Sequence, residues 1–540
     1  MRARTQLVSL AFCLVPLLNA CEGTGLIAPI SPLGPTGVHR YEAPPASGSH
    51  SERLGELVAI RDTVYLTGTW DLESSIDLDS NTQLIGESPA TARIRWNNTV
   101  PDLHPLYVRG GVHDVAVKNI TFEGVTSASR GYRHQFALKI LGGTNITFQN
   151  NHISGIAMVG SYGTDDLEPT AADNFNIRVL DNITDTGMCG ATRFVDCSGN
   201  MEKAIELGFV DGFTINGNHI SNFSAGIGLW GGDPTGFSTV YRTHNGTIQG
   251  NVINQVSGGI VIIQSDNVDI YDNFVQNCSD TCLDVEGGYD VLFAGNTAEY
   301  GSNYVFSAFW NTEQATFRNN TFEKGDGFID ENGVGRDVNT DQLYYNSSSP
   351  DSSINRVDIR IHDNVMTWVG SVKPFGKISL SHSWKFLFSN NQLTDIVIEL
   401  AEFPIYAGSV LMEGDSLHFT KSLSGRTALH TGYNNVAKPG GGCETGPTIF
   451  DNLWHVLIAG VAFSSAVAQP GVGIKAEQSC ADMINTLITG NKVRNFATSI
   501  QTVGLSSHHF AITKNGVSGG IDTAQSPNTN VTENYSIPAQ

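Results

Sequence analysis

The sequence predicts an all-β protein built as a parallel β-helix, and three observations carry this prediction. Asn recurs at the ends of short apolar strands, in the frames TIQGNVI, DIYDNFV, LFAGNTA and TFRNNTF. The steps between Asn251, Asn273, Asn296 and Asn320 are 22, 23 and 24 residues. The segments between them alternate apolar and polar positions and are rich in β-branched residues, and the chain's 58 Gly residues supply turns between strands.

The period indicates the repeat unit. A step of 22 to 24 residues fits one coil of a parallel β-helix better than a propeller blade of about 40–45 residues. Strands of neighbouring coils lie about 4.8 Å apart, and we expect roughly 12 or 13 coils with loop insertions between strands. We expect a buried Asn at one turn of each coil to bond the next coil, forming a ladder. Residues 332–355 are polar and are typical of a long inserted loop, and the period is lost over residues 400–450. The other Asn residues in this frame are Asn151, Asn182, Asn218, Asn364, Asn391, Asn491 and Asn515.

Three longer frames resemble a known group of proteins. ALKILGGTNITFQNNHIS, AIELGFVDGFTINGNHIS and GGIVIIQSDNVDIYDNFV are similar to coils of the pectate-lyase-like superfamily. The resemblance covers roughly residues 55–534 and implies a single-stranded, right-handed parallel β-helix. That superfamily includes polysaccharide lyases, glycoside hydrolases, epimerases, esterases, phage tailspikes and adhesins. No tight catalytic signature of pectate lyases or polygalacturonases stands at a matching position, so the function has to be argued from the site.

The N-terminus is typical of an export signal. Basic residues precede an apolar run from Leu7 to Leu18, and we expect residues 1–20 to be removed. The sequence LNAC resembles a bacterial lipobox, which implies lipidation of Cys21, whereas the alternative is an ordinary signal peptide cut near Ala20. We therefore expect an exported protein, either an outer-membrane or cell-surface lipoprotein held by a lipid anchor or a secreted protein.

The remaining chain divides by composition. Residues 21–54 are rich in Pro, Gly and Ser and read as a tether, and residues 55–540 read as one β-helix domain. Six Cys residues lie in the exported part, which favours disulfides in an oxidising compartment. Proximity in sequence suggests three pairs, Cys189–Cys197, Cys278–Cys282 and Cys443–Cys480, out of 15 pairings that six Cys residues allow.

The charge limits the partners. The chain has 31 Lys and Arg against 53 Asp and Glu, a formal net charge of −22. A nucleic-acid partner would need a basic surface, so it is excluded, and a neutral or weakly charged glycan fits more easily than a strongly anionic one. No zinc pattern is present and no cofactor is required, although Ca²⁺ is compatible with the acidic composition.

Register in a β-helix brings distant residues together. Ile140, Leu207, Leu229, Ile262 and Val285 fall in one inward column, and their neighbours point outward. Among the outward residues, Asp284 and Glu286 share one strand at i and i+2, about 7 Å apart at Cα. Inverting glycosidases hold their carboxyls about 6.5–9.5 Å apart to fit a water. This pair is our candidate acid and base, with two solvated carboxylates or a Ca²⁺ site as alternatives.

Other side chains extend the predicted outer face. Glu206 lies three coils before Asp284, about 14 Å away, and Lys139 is a candidate base for β-elimination. Exposed aromatic rings stack on sugars, and the alternative is packing under a loop. The candidate substrate contacts are Trp230, Trp310, Arg133, His134 and Glu331.

Two functions remain open on these residues. The first is an enzyme that cleaves a polysaccharide on the outer face, by hydrolysis through Asp284 and Glu286 or by β-elimination through Lys139 and the basic residues before it. The second is a surface glycan-binding or adhesin-like rod without catalysis, since a stacked repeat needs no active site to be stable.

Overall fold

The computed structural model describes most of the chain, with gaps. The described residues are 40–43, 49–98, 100, 102–124, 135–164, 172–186, 203–232, 241–301, 304–309, 312, 314–324, 338–339, 358–370, 375–381, 385–401, 409–433, 456–478, 485–504, 509–526 and 528–539. The chain divides into two compact units, residues 1–40 and 41–540. Arg40 is the single described residue of the first unit, and the rest of the described chain belongs to the second unit.

One α-helix, α1 (His50–Ile60), is found among the described residues. It begins where the side chain of Ser49 accepts a hydrogen bond from the backbone N–H of Glu52 at 3.3 Å, a typical N-cap. Its apolar face is buried in the core, with Leu54 fully buried. The helix packs on the first long strand and covers one end of the stack, as terminal repeats of a solenoid must.

Short strands make up most of the rest. The first 25 are β1 Arg40–Glu42, β2 Thr63–Leu72, β3 Ile76–Leu78, β4 Gln83–Gly86, β5 Ala92–Trp96, β6 Leu106–Val108, β7 His113–Lys118, β8 Thr121–Gly124, β9 Phe136–Leu141, β10 Thr144–Gln149, β11 His152–Ser154, β12 Ala157–Tyr162, β13 Asn174–Leu180, β14 Ile183–Thr186, β15 Lys203–Gly208, β16 Val210–Asn216, β17 His219–Ser221, β18 Ala225–Trp230, β19 Thr243–Gln249, β20 Val252–Val256, β21 Gly258–Ile263, β22 Ser265–Tyr271, β23 Phe274–Cys278, β24 Thr281–Glu286 and β25 Tyr289–Ala294. The next 25 are β26 Thr297–Glu299, β27 Tyr304–Phe309, β28 Gln314–Arg318, β29 Thr321–Lys324, β30 Val338–Asn339, β31 Asp358–His362, β32 Val365–Trp368, β33 Gly376–Ser381, β34 Lys385–Ser389, β35 Gln392–Thr394, β36 Ile396–Ala401, β37 Ser409–Glu413, β38 Ser416–Phe419, β39 Leu429–Tyr433, β40 Val456–Ala459, β41 Ala462–Ser465, β42 Gln469–Gln478, β43 Asn485–Thr489, β44 Lys492–Val493, β45 Phe496–Gly504, β46 His509–Thr513, β47 Gly516–Val517, β48 Gly520–Gln525, β49 Thr529–Thr532 and β50 Tyr535–Ser536.

The strands pair with a period of three, as the predicted solenoid requires. Every third strand from β3 to β48 forms a parallel sheet of 16 strands, which we call the site sheet. The other strands form two further parallel ladders, from β4 to β49 and from β5 to β50, which β2 joins because it pairs with both β4 and β5. The predicted all-β, parallel β-helix fold is therefore confirmed, with 16 strands in the site sheet where roughly 12 or 13 coils were expected.

The core is made of aligned apolar columns. The predicted inward column is confirmed by the register of the site sheet, and all five of its members are fully buried: Ile140, Leu207, Leu229, Ile262 and Val285. Ser161, on β12, stands in this column between Ile140 on β9 and Leu207 on β15. Its hydroxyl donates to the backbone oxygen of Gly208 at 3.2 Å, so this buried polar atom is satisfied.

The Asn ladder forms as the sequence predicts. In each step from Asn151 to Asn364, the backbone N–H and the side-chain amide of one Asn donate to Oδ1 of the next. The side-chain amide of Asn296 also donates to the backbone oxygen of Ile270, in the previous coil, at 2.9 Å. Each Asn therefore ties three coils together within the core.

The ladder continues into residues 409–419, part of the segment that the sequence predicts to be irregular. Strands β37 and β38 pair in register here, and Asp415 takes the Asn position. Val461 follows it, and its backbone N–H donates to Oδ1 of Asn491 at 2.8 Å. The prediction of irregular structure is wrong for residues 409–419, because Asp415 replaces the Asn that marks the frame; Val461 replaces it at the next step.

The Cys278–Cys282 disulfide is present, with Cα atoms 5.4 Å apart, which confirms one predicted pair. Four of the other Cys residues lie outside the described residues, as does Cys21, and their pairing and lipidation stay predictions: Cys189, Cys197, Cys443 and Cys480. No helix within the described ranges is long and apolar enough to cross a membrane.

Candidate functional site

The outer face of the site sheet carries two neighbouring columns. Glu206, Gly228, Val261, Asp284 and Ser307 stand in register on β15, β18, β21, β24 and β27. Neighbouring strands of a sheet are about 4.8 Å apart, so Glu206 and Asp284 are separated by three steps, or about 14 Å. The order of residues in this column agrees with the alignment predicted from the sequence.

The second column lies two residues further along each strand. Gly208, Trp230, Ile263 and Glu286 stand in register on β15, β18, β21 and β24. Trp230 is therefore two steps, about 10 Å, from Glu286 along the column. The two columns place an aromatic ring and several carboxyls on one wall of the coil.

These side chains are less exposed to solvent than the sequence pattern predicts. Asp284 is only 6% exposed, and Lys139 is only 8% exposed. Glu206, Trp230 and Glu286 are half-buried. Charged groups pay a large desolvation cost in such places unless they are paired or neutralised, so the partners of each group decide its state.

Asp284 and Glu286, the carboxyl pair, contact each other. A hydrogen bond joins the two side chains, and the hydroxyl of Ser307 donates to Asp284 Oδ1 at 2.5 Å. The pattern predicts room for a water between the carboxyls, and this stays a prediction.

The surroundings of the carboxyl pair favour a proton on it, and on Asp284 most. Burial, followed by the charge of Glu286, raises the pKa of Asp284 well above its ordinary value. The pKa of Glu286 is also raised, first by burial and then by the charge of Asp280, while the hydrogen bond from Asp284 and the charge of Lys203 act in the opposite direction. Two carboxyls in contact cannot both ionise easily, so one acid and one carboxylate stand side by side.

Lys203 is a site residue that the sequence reading missed. Its ammonium lies 2.7 Å from Glu206 Oε1 and 5.7 Å from the centre of the Trp230 ring. Its stem crosses Gly228, where an added Cβ would lie 2.2 Å from Lys203 Cδ. A Gly inside a strand column signals such a close approach, and Gly228 was the clue in the sequence.

Trp230 is not a free ring on the surface. Lys203 lies over the ring, and the indole Nε1 is buried without a hydrogen-bond partner in the part of the chain that the structure describes. The backbone oxygen of Trp230 accepts from the hydroxyl of Thr243 at 2.7 Å, which fixes the end of the strand. The ring is therefore held in place, while its N–H has no hydrogen-bond acceptor among the described residues.

Lys139 stands apart from the carboxyl pair. It lies in the same column as Glu206, but Gly160 separates them, and Asp284 is five strands away, about 24 Å. Its ammonium is 5.0 Å from the centre of the Tyr162 ring and 5.6 Å from that of Phe136. The structure therefore does not bring Lys139 together with the two carboxyls.

Several predicted contacts lie outside the described residues: Arg133, His134, Trp310 and Glu331. They stay predictions. No group of three or more His, Cys, Asp and Glu side chains within the described ranges is close enough to hold a metal ion.

A family model supports the architecture. The model of the right-handed β-helix region matches residues 236–342, which include the carboxyl pair and the strands around it. The chain is a right-handed parallel β-helix. No curated protein sequence is similar to it.

Solved structures similar to this β-helix differ in function. The catalytic domain of a GH87 α-1,3-glucanase, in complex with tetrasaccharides, is 12% identical, covers 93% of this chain and 68% of its own, and has a TM-score of 0.35. The family 28 exopolygalacturonase of Yersinia enterocolitica is 10% identical, with 71% and 74% covered and a TM-score of 0.39. PfbA, a surface adhesin of Streptococcus pneumoniae, is 10% identical, with 90% and 89% covered and a TM-score of 0.34.

Proposed function

We propose that this β-helix is a carbohydrate-active enzyme that hydrolyses a neutral or weakly charged polysaccharide lying across the outer face of the site sheet. The observation that carries the proposal is the carboxyl pair itself: Asp284 and Glu286 lie side by side on β24, Asp284 is buried and Glu286 is half-buried, and burial raises the pKa of both. Hydrolysis of a glycosidic bond needs such a combination of one acid and one carboxylate.

Each residue of the site has a role in this reaction. Asp284 gives its proton to the leaving oxygen as the C–O bond breaks, and Glu286 takes a proton from the water that forms the new C–O bond. The pair is thereby left with one proton, as it began.

The surroundings favour sugar as the ligand. The half-buried ring of Trp230 has a fixed orientation beside Lys203, and the exposed part of such a ring can stack on a sugar. Glu206 and Lys203 offer a further acceptor and donor about 14 Å along the column from Asp284. Lys139, the candidate base for β-elimination, lies about 24 Å from the pair, so it takes no part in hydrolysis there, and elimination would need a separate site around Lys139.

Glycan binding without catalysis is the second candidate. The observation that favours it is the burial of Asp284, which is only 6% exposed and so has little surface with which to reach a glycosidic oxygen. Export is part of either function, because the Cys278–Cys282 disulfide fits an oxidising compartment and the N-terminus is typical of a signal.

The test is a glycan panel. The purified chain is incubated with neutral and uronic-acid polysaccharides, and reducing ends and the absorbance of unsaturated uronates are followed. Hydrolysis predicts new reducing ends alone. Asp284→Asn and Glu286→Gln are expected to abolish turnover without lowering the melting temperature, whereas Asp269→Asn, an exposed carboxyl on β22, leaves both unchanged. Binding without any reducing ends favours the second candidate, and both signals together indicate elimination.

A further inference from the structure

Another row of polar side chains lies on the outer face of the site sheet, on strands that follow the carboxyl pair in the stack. Glu399, His430, Lys475, Gln501 and Asp522 stand in register on β36, β39, β42, β45 and β48. Four steps of about 4.8 Å give this column a length of about 19 Å. In the site sheet β24 and β36 are also four steps apart, so about 19 Å separates Asp284 from Glu399.

The side chains of this column are held by one another. His430 Nε2 lies 3.1 Å from Glu477 Oε2, and Lys475 Nζ lies 2.5 Å from the same oxygen. Lys377 pairs with Glu399, and the amide of Gln501 donates to Asp522 Oδ2 at 2.9 Å. We call the following side chains the His430 cluster: Lys377, Glu399, His430, Lys475, Glu477 and Gln501.

The cluster is partly open. The side chains of its charged members are between 23% and 31% exposed, so each is fixed from below and reachable from outside. Ion pairs with this exposure contribute little to stability. The positive charges of Lys377 and Lys475 are matched by two carboxylates, so the cluster has no excess of positive charge with which to attract an anion.

The protonation state of the His430 ring gives the cluster a further hydrogen-bond acceptor. Burial, followed by the charge of Lys475, lowers the pKa of His430, and Lys377 acts in the same direction, while the hydrogen bond and charge of Glu477 oppose them. The ring is therefore neutral at pH 7. A neutral ring that bonds the Glu477 carboxylate carries its proton on Nε2, which makes Nδ1 an acceptor.

We propose that the His430 cluster is a second glycan-binding site, which takes a stretch of neutral, hydroxyl-rich sugar chain. Its donors and acceptors are fixed in a row at the strand spacing, its charges are mutually matched, and it lies on the same wall as the carboxyl pair. A long chain bound at the pair can reach it, so the cluster favours long substrates. The choice of glycan as ligand rests on the proposed function; the site itself rests on the contacts above.

Binding is measured in a Glu286→Gln background, so that ligand is not consumed. The probes are neutral gluco-oligosaccharides of two to ten units and oligogalacturonides of matched length, titrated by calorimetry. We expect affinity for neutral chains to rise with length. His430→Ala and Glu477→Gln are expected to weaken binding of the longest chains at least tenfold and to leave the shortest unaffected. Lys514→Ala, in an exposed ion pair with Glu533, is the matched control and changes neither.

The outcomes separate the two proposals. If neutral chains bind but the cluster variants do not change the affinity at any length, the second site is refuted and the proposed function stands. If no oligosaccharide of either kind binds, both the second glycan-binding site and the proposed function are refuted. If only the oligogalacturonides bind, the neutral ligand class is wrong.

A pH series gives a readout that a structural role would not move. The groups that face His430 are Lys377 from β33, Glu399 from β36, and Lys475 and Glu477 from β42. Protonation of the ring removes its acceptor, so binding of long chains is expected to weaken as pH falls through the lowered pKa of His430. His430→Gln keeps a donor and an acceptor and removes this dependence. A dependence that persists in His430→Gln refutes the role of the ring.

Discussion

Asn391 donates two hydrogen bonds to Asp415 Oδ1, from its backbone N–H at 2.8 Å and from its side-chain amide at 3.0 Å. The other oxygen of Asp415, Oδ2, is buried and has no hydrogen-bond partner among the described residues. At the preceding step, Asn391 directs its amide at the backbone oxygen of Ile361. At Asp415, the oxygen Oδ2 therefore takes the position at which each Asn of the ladder has a side-chain N–H donor.

The Asp415→Asn variant is expected to be more stable at neutral and alkaline pH. Burial raises the pKa of Asp415 to about 8. The folded chain therefore keeps this proton between about pH 4 and pH 8 while the unfolded chain releases it, and stability falls as pH rises through that window. We expect a gain on the order of 5 kcal/mol for Asp415→Asn at pH 8 and little gain at pH 4. Urea unfolding at both pH values measures it; an equal gain at both would contradict the buried acid.

The ladder itself is expected to be a major contributor to stability. Asn296→Ala removes the acceptor of two hydrogen bonds from Asn273 and leaves the buried oxygen of Ile270 without its donor. Each unsatisfied buried group costs about 1–3 kcal/mol, so a loss of about 3 kcal/mol or more is expected. Asn530→Ala, an exposed Asn on β49, should change stability by less than about 0.5 kcal/mol. Urea unfolding of both variants gives the comparison, and similar losses would show that the ladder has no special role.

Ser307→Ala is expected to move the alkaline limb of the pH–activity profile to higher pH. The hydroxyl of Ser307 stabilises the ionised form of Asp284 and so lowers its pKa. Removing it lets Asp284 keep its proton to higher pH, where the acid is needed for the leaving group. Ser307→Thr retains the hydroxyl and should keep the original limb. An alkaline limb unmoved in Ser307→Ala would mean that Asp284 is not the acid.

Lys203→Met is expected to move the acidic limb to higher pH. The charge of Lys203 lowers the pKa of Glu286, and this carboxyl must be ionised to accept a proton from water. Met keeps much of the length of the stem over Gly228 but removes the charge, so the pKa of Glu286 rises. Lys203→Arg keeps the charge and serves as the control. A shift toward lower pH in Lys203→Met would contradict this assignment.

The fold could be predicted from the sequence because its signal is local. The Asn frames mark one turn per coil, and the alternation of apolar residues such as Leu207 and Leu229 fixes which side of each strand faces the core. The frame was hidden at Asp415 and Val461, where the residue type changes but the turn remains. A motif defined by one residue type does not detect a position where another residue occupies the same turn of the coil.

The site could be predicted only in part, because register gives columns but not contacts. Asp284 and Glu286 were placed on one wall, but their hydrogen bond depends on side-chain rotamers that the pattern does not contain. Lys203 was missed because it reaches Glu206 across Gly228, three residues along the same strand. The burial of Lys139 between rings arises from Phe136 on its own strand and Tyr162 on the next.

The protonation state of Asp284 is the claim on which the hydrolytic function depends most directly. Carbon-13 NMR of the Asp-labelled chain, compared with the Asp284→Asn variant, isolates the Asp284 carboxyl signal across a pH series. We predict a signal typical of a protonated acid at pH 7, which changes only at higher pH, because burial and the neighbouring Glu286 raise the pKa of Asp284. A signal that titrates near pH 4, as an exposed Asp does, would contradict the account.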